Sequence, residues 1–330
     1  MATTSFLERH QIPLYLAAIA VGAALSAVPG APAAESAIGP VLGLLLFATF
    51  LGVPLLAVGR AFRDLRFVAA VGVLNFVVVP VVAFGLSRLV ASNDALLVGV
   101  LLVLLTPCVD YVIVFSGIAG GSSERLLAAS PLLMLAQLLL LPLYLLLFAG
   151  PGLLDLIDPA PFARAFLLLI LLPLAAAALV QWGARPPAGP AFYRLGVVRA
   201  AAQTAMVPLL MATLLLVVAS QLNAVLGSIG SLAAVLPVYA AFLVVMVPLG
   251  IATARIARLD VPASRALVFS GATRNSLVVL ALALPLSGSL SLVPLVVVTQ
   301  TLVELGGMLV FIRLIPRLLP GAARVPGRLV

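Results

Sequence analysis

The stretch Thr106-Pro107-Cys108-Val109-Asp110 lies in the middle of an apolar run from Leu96 to Phe115. A run of that length makes about one bilayer crossing. A proline in a helix interior removes a backbone hydrogen bond and clashes with the preceding turn. A carboxylate at mid-membrane depth is costly, so it normally faces a protein cavity and acts there. The chain's single cysteine stands between the two. A membrane helix broken at mid-depth, carrying a thiol and a carboxyl, is the pattern of a transport site.

The rest of the chain fits a membrane setting. Of its 330 residues 64% are hydrophobic and 8% charged, and the mean hydropathy is +1.33, far outside the range of soluble domains. One cysteine leaves no internal disulfide, and one histidine, His10 in the polar first eleven residues, leaves no His-based metal cluster. The net charge of +8 includes 18 arginines and no lysine. Nucleic acid is excluded as a partner by where the arginines lie: in short loops between apolar spans, where membrane topology accounts for them.

Ten spans are expected, at 12–26, 38–58, 67–89, 96–115, 126–148, 161–182, 200–222, 232–254, 263–285 and 292–315. The first resembles a signal sequence, but Arg9 alone is a thin basic flank and further spans follow directly, so it is read as a helix. With ten spans, the termini and the loops after spans 2, 4, 6 and 8 share one side. Fifteen of the 18 arginines fall there, only Arg88 and Arg164 fall opposite, and Arg274 lies within a span. The asymmetry places both termini in the cytoplasm and predicts a multi-pass protein of a bacterial-type plasma membrane.

A faint internal repeat runs through the spans. Phe76 to Pro80 and Arg88 resemble Val244 to Pro248 and Arg255, with the prolines 168 residues apart. The same offset carries Pro107 onto Asn275 in span 9. Five spans per repeat is an odd number, so residues 156–330 are expected to be inverted with respect to 1–155 within one membrane domain, a recurring transporter plan.

Span 9 carries its own interruption, Ser270-Gly271-Ala272-Thr273-Arg274-Asn275-Ser276. Backbone opened there must be satisfied by protein or by water in a cavity. Arg274 matches Asp110 in opposite charge and, by the offset, in depth; the pair is either a buried salt bridge fixing the crossing of two broken helices or part of substrate and proton handling. Gln300 and Glu304, four apart in span 10, share a helix face. Glu304 is either a carboxyl poised for protonation or a partner of Arg274. Asn75 and Gln137 read as interhelical hydrogen-bond formers, with a ligand role as the alternative.

Together, Asn75-Phe76 with Pro80, Pro107-Cys108, Pro208-Leu209-Leu210 through Gln221, Ala272 to Asn275 and Leu302-Val303-Glu304 resemble the bile acid:sodium symporter superfamily, and within it most closely the Acr-type arsenite-efflux permeases. The resemblance implies an all-α membrane protein of ten helices in two inverted five-helix repeats, with helices 4 and 9 crossing at the midplane. It implies arsenite efflux driven by proton influx, with Cys108 as the metalloid-binding thiol. Thr106, Asp110, Arg274, Asn275 and Ser276 complete the expected substrate site. Asp110 and Glu304 are the expected proton carriers, and Asn75, Gln137, Thr273 and Gln300 lie around them. No cofactor is expected.

The chain departs from its relatives at telling positions. Leu277 stands where the arsenite permeases carry a glutamate, and Ser270 where the sodium-coupled branch carries an acid. Arg274 replaces a neutral amide and Asp110 a small residue. A fixed positive charge at the crossing argues against a nearby sodium ion. The competing reading is a sodium- or proton-coupled carrier of an organic anion, with Arg274 clamping a carboxylate. An enzyme is not expected, since no nucleophile is paired with a histidine.

Overall fold

The computed structural model describes residues 11–28, 35–52, 64–109, 111–150, 164, 166–183, 190–286 and 288–320. Among them every regular element is helical, and strand-like pairing is confined to one isolated antiparallel bridge, Pro107 with Arg274. The chain forms α1 (Gln11–Ser26), α2 (Glu35–Gly52) and α3 (Leu65–Val90). The fourth expected span is two helices, α4 (Asp94–Leu104) and α5 (Tyr111–Ile118). Then come α6 (Ser123–Ala149), α7 (Phe166–Gly183), α8 (Pro190–Gly227), the single turn α9 (Ile229–Leu232) and α10 (Val235–Ile256). The ninth span is again split, into α11 (Val261–Ala272) and α12 (Ser276–Ala283), and α13 (Val293–Leu318) closes the fold.

Six of these helices, α3, α6, α7, α8, α10 and α13, are long and apolar enough to cross a membrane; α1, α2 and α4 are shorter apolar helices. The split spans fall short for a physical reason. Their halves hold 11 and 8 residues and 12 and 8 residues, whereas one helix needs about 20 to cross the hydrocarbon. Large aliphatic side chains such as Leu139, Val244, Val81 and Leu179 stand 65–77% exposed on the outer helix faces, as lipid contact requires.

Local chemistry sets the helix starts. Asp64, Asn93 and Asp260 accept from the amides of Phe67 (3.1 Å), Leu96 (3.2 Å) and Ala263 (2.8 Å), N-capping α3, α4 and α11. Within α3, Pro80 has no amide to donate, and the ladder widens to a π turn over Leu74–Val78 just before it. That wide turn carries Asn75, which is fully buried.

The helices pack in two groups. In one, α8 lies along α1 and α2, with α7 on α2; in the other, α10 packs on α11 and α13, α4 on α3 and α13, and α12 on α13. The split spans thus sit in the second group, which meets the first where α8 touches α13 and α12 approaches α2.

Polar ties gather at the two ends of the second group. At one end Arg125 bonds Asp260 through both η nitrogens (2.8 and 2.9 Å) and Asp64 through Nε (3.1 Å), joining the starts of α3, α6 and α11. Arg265 donates to the carbonyls of Ala119 (2.9 Å) and Leu319 (2.9 and 3.1 Å). Burial pushes the Asp260 carboxyl upward, but the Arg125 bond, the Ala263 amide and the Arg125 charge outweigh it and hold the group below its ordinary range. At the opposite end Arg88 donates to Phe148 C=O (2.9 Å) and lies over the Phe84 ring. The expected loop residues Arg9, Arg60, Arg63, Arg185, Arg324 and Arg328, and the starts or ends of spans 2 and 6, lie outside the described residues, as does Asp110.

Candidate functional site

The two split spans cross where each is extended. The Asn275 amide donates to Thr106 C=O (2.8 Å) and the Cys108 amide to Thr273 C=O (3.4 Å), so backbone released by each break is satisfied by the other. Thr106 and Thr273 hydroxyls each donate to a carbonyl four residues back, Leu102 and Phe269, both at 2.8 Å, closing the last turns of α4 and α11. Asn275 Oδ1 accepts from the Val278 amide (3.2 Å) and caps α12. Cys108, 1% exposed, is therefore held on the crossing itself.

Arg274 is completely buried, and its guanidinium turns back from the crossing onto oxygens. Nη2 donates to Asn75 Oδ1 (2.8 Å), Ser270 C=O (2.7 Å) and Gly271 C=O (2.9 Å), and Nη1 to Leu104 C=O (3.3 Å). Its carbon lies 5.5 Å from the centroid of the Phe242 ring, within cation–π range. The π turn of α3 places Asn75 to serve this group, and Asn75 Nδ2 is itself anchored on Val71 C=O and Ser270 Oγ, both 3.0 Å.

Glu304 meets Arg274 at its backbone rather than at its guanidinium. Its Oε2 accepts from the Arg274 backbone amide (2.8 Å) and from Gln300 Nε2, and its Oε1 faces the Tyr111 hydroxyl. Among the described residues the guanidinium is paired with no carboxylate. Tyr111 also donates to the Arg274 carbonyl (2.8 Å). One phenol carries one proton but has two acceptors in reach. With Glu304 ionised, Tyr111 donates to the carboxylate; with Glu304 protonated, the acid donates to Tyr111, which turns its own hydrogen to Arg274 C=O. The two backbone groups of Arg274 thus contact the Tyr111–Glu304 pair, its carbonyl through the phenol and its amide through the carboxyl.

The structure brings together Asn75, Thr106, Cys108, Thr273, Arg274, Asn275, Ser276, Gln300 and Glu304. Gln137, though buried, is joined to none of them by a hydrogen bond. Arg274 Nε, Asn275 Nδ2, Ser276 Oγ and Gln300 Oε1 are buried without a hydrogen-bond partner among the described residues, which leaves donors and an acceptor for a ligand at the start of α12. A narrow apolar void lined by Tyr15, Tyr111, Phe115, Leu210, Leu214, Thr301 and Leu305 reaches Tyr111 between the two helix groups. Among the described residues no three His, Cys, Asp or Glu side chains are grouped to hold a metal.

Sequence reasoning missed Tyr111 and Phe242. Tyr111 immediately follows the pentapeptide of the first break, and a phenol beside an intramembrane carboxyl was the available signal. Phe242 carries none, since an apolar span is rich in such rings.

The model of the Sodium Bile acid symporter family matches residues 39–227, more than half of the chain. The matched stretch takes in the first break and ends with α8, before the second. No curated protein matches.

Proposed function

We infer the function from one premise: the chain belongs to the sodium bile acid symporter family. It is a multi-pass membrane transporter, not an enzyme, and such a carrier moves a small solute together with a coupling ion. We propose that the solute is arsenite, expelled from the cell in exchange for entering protons. In this reading ten crossings form two inverted repeats, 1–155 and 156–330, in a bacterial-type plasma membrane with both termini in the cytoplasm. The splitting of the fourth and ninth spans, and their mutual pairing, supports that plan.

The observation that carries the reading is Cys108 seated on the crossing, one residue from the Pro107–Arg274 bridge. A thiol is the side chain that bonds trivalent arsenic, and this one shares the crossing with Asn275 and Ser276, whose side-chain groups without a partner among the described residues can hold arsenite hydroxyls. Thr106 and Asp110 flank it in sequence. Protonation of Glu304 re-routes the Tyr111 hydrogen bond to the Arg274 carbonyl, so proton binding changes the backbone contacts of the second break. That is the coupling such an exchanger needs. The organic-anion alternative is the weaker one, because the η nitrogens that would clamp a carboxylate are already engaged by four oxygens.

The test is arsenite tolerance of a sensitive bacterial strain expressing the chain, wild type beside Cys108→Ala. Resistance that disappears with the thiol is expected. An absence of resistance from a well-expressed, membrane-inserted wild type sinks the arsenite reading and turns attention to organic anions.

A further inference from the structure

We propose that the Arg274 guanidinium is a tethered cation: it fills an oxygen cage at the crossing that would otherwise take a small diffusible cation, and so makes the site independent of sodium. The inference rests on the crossing being the transport site, but not on which solute passes through it.

The contacts are those of a cation in a cage rather than of a donor matched to one acceptor. Nη2 bears two hydrogens, yet three oxygens surround it at 2.7 to 2.9 Å: Ser270 C=O, Asn75 Oδ1 and Gly271 C=O. Leu104 C=O approaches the neighbouring nitrogen at 3.3 Å. All four are neutral carbonyl or amide oxygens, the donor class with which membrane proteins replace the water of a monovalent ion. Three of them are backbone oxygens at the C-terminal ends of α4 and α11, where the negative ends of two half-helix dipoles converge. Discontinuous membrane helices coordinate coupling cations with such ends.

Among the described residues no carboxylate is in the cage. Glu304 takes the backbone amide of Arg274 instead, so the oxygens that touch the guanidinium are neutral and the Glu304 charge acts on it only from outside the cage. The Phe242 ring covers the charge at 5.5 Å. A covalently held cation cannot dissociate, so the cage cannot draw on a sodium gradient. The mobile positive charge is then left to the carboxyl of Glu304.

The test reads cation binding rather than transport. Full-length protein is purified in detergent, and its thermal unfolding is followed in sodium, potassium and choline chloride at equal ionic strength. Wild type is expected to melt at one temperature in all three. Arg274→Ala is expected to melt lower in choline and to regain a few degrees in sodium, or in guanidinium at a non-denaturing concentration, as the emptied cage takes a free ion. A sodium-specific rise in wild type overturns the proposal, and so does a recovered alanine variant indifferent to every small cation. If the alanine variant is recovered from membranes only in sodium, that is the same refilling and supports it. If it is recovered in no salt, Arg274→Lys and Arg274→Met decide. The lysine variant should be recovered in choline and the methionine variant not, and equal recovery of the two means that the cage does not require charge. A chain that shows the expected pattern but exports no arsenite keeps this proposal and loses the arsenite reading.

Discussion

The two breaks look alike at the backbone and are made by different means. At residues 105–109 the interruption is written in covalent structure: Pro107 has no amide, and its ring forbids the turn that would precede it. At residues 273–275 no proline is present. The second helix stops because Thr273 closes the turn behind it, Asn275 starts the next helix, and Arg274 folds onto the carbonyls that end α11. One break is steric, and its own pair of carbonyl ends is partly served by the other. The second break is electrostatic and also holds the first, through Leu104 C=O.

That difference predicts unequal consequences of removing each determinant. Arg274→Leu should be the most damaging single change at the crossing, at about 3 kcal/mol or more, because it strands several buried carbonyl oxygens at once. Pro107→Ala should cost about 1 kcal/mol or less, since the paired backbone and the arginine still hold the extended geometry. Thermal unfolding of the two variants in one detergent measures both. Equal losses would show that the breaks are held in the same way.

A subtler change sharpens the role of the second break in coupling. In Glu304→Gln the amide oxygen can still accept from the Arg274 and Gln300 nitrogens, while its NH2 donates to Tyr111 as a protonated acid would. Stability should change by about 1 kcal/mol or less. Efflux against a gradient should be lost and its pH dependence with it, while solute exchange between equal compartments continues. Tyr111→Phe should keep uphill efflux at reduced rate and shift its pH profile, because the carboxyl remains but its link to the Arg274 carbonyl is cut. Proteoliposomes loaded at different internal pH give both readouts. Uphill efflux by Glu304→Gln at the wild-type rate would remove this carboxyl from the coupling step.

How much of this was legible in the sequence depended on the kind of signal. Apolar length located the helices, because lipid burial constrains every residue of a span at once. Pro107 announced the first break, and the polar run from Ser270 to Ser276 announced the second. The partner of Arg274 was not legible. Charge alone pointed to Asp110, which lies outside the described residues, or to Glu304, whereas the guanidinium found Asn75 and three backbone oxygens and left Glu304 to its amide. Backbone carbonyls have no letter in a sequence, so a site built from them shows itself only when the helix ends meet. Tyr111 was hidden for a related reason, since one aromatic residue in an apolar half-helix reads as packing.

The smallest expected effect lies at the end of the molecule where Arg125 joins the starts of α3, α6 and α11. These are exposed groups, with side chains of Arg125, Asp64 and Asp260 at 33%, 38% and 54%, so Arg125→Met should cost only about 0.5 kcal/mol per pair lost. Its pH signature is more specific. Asp260 is held below its ordinary range in the folded protein. Its contribution is therefore complete above the unfolded value of about 4 and is lost as pH falls through the lower folded value. Asp260→Asn should lower stability slightly at neutral pH and flatten the acid limb, the variant and wild type converging as pH falls below about 4. Salt should narrow the gap between variant and wild type, because exposed pairs are screened, whereas the buried contacts of Arg274 should not respond. An acid limb of equal steepness in both proteins would show that the end cluster merely accompanies the fold and does not tie the first break's helices to the second's.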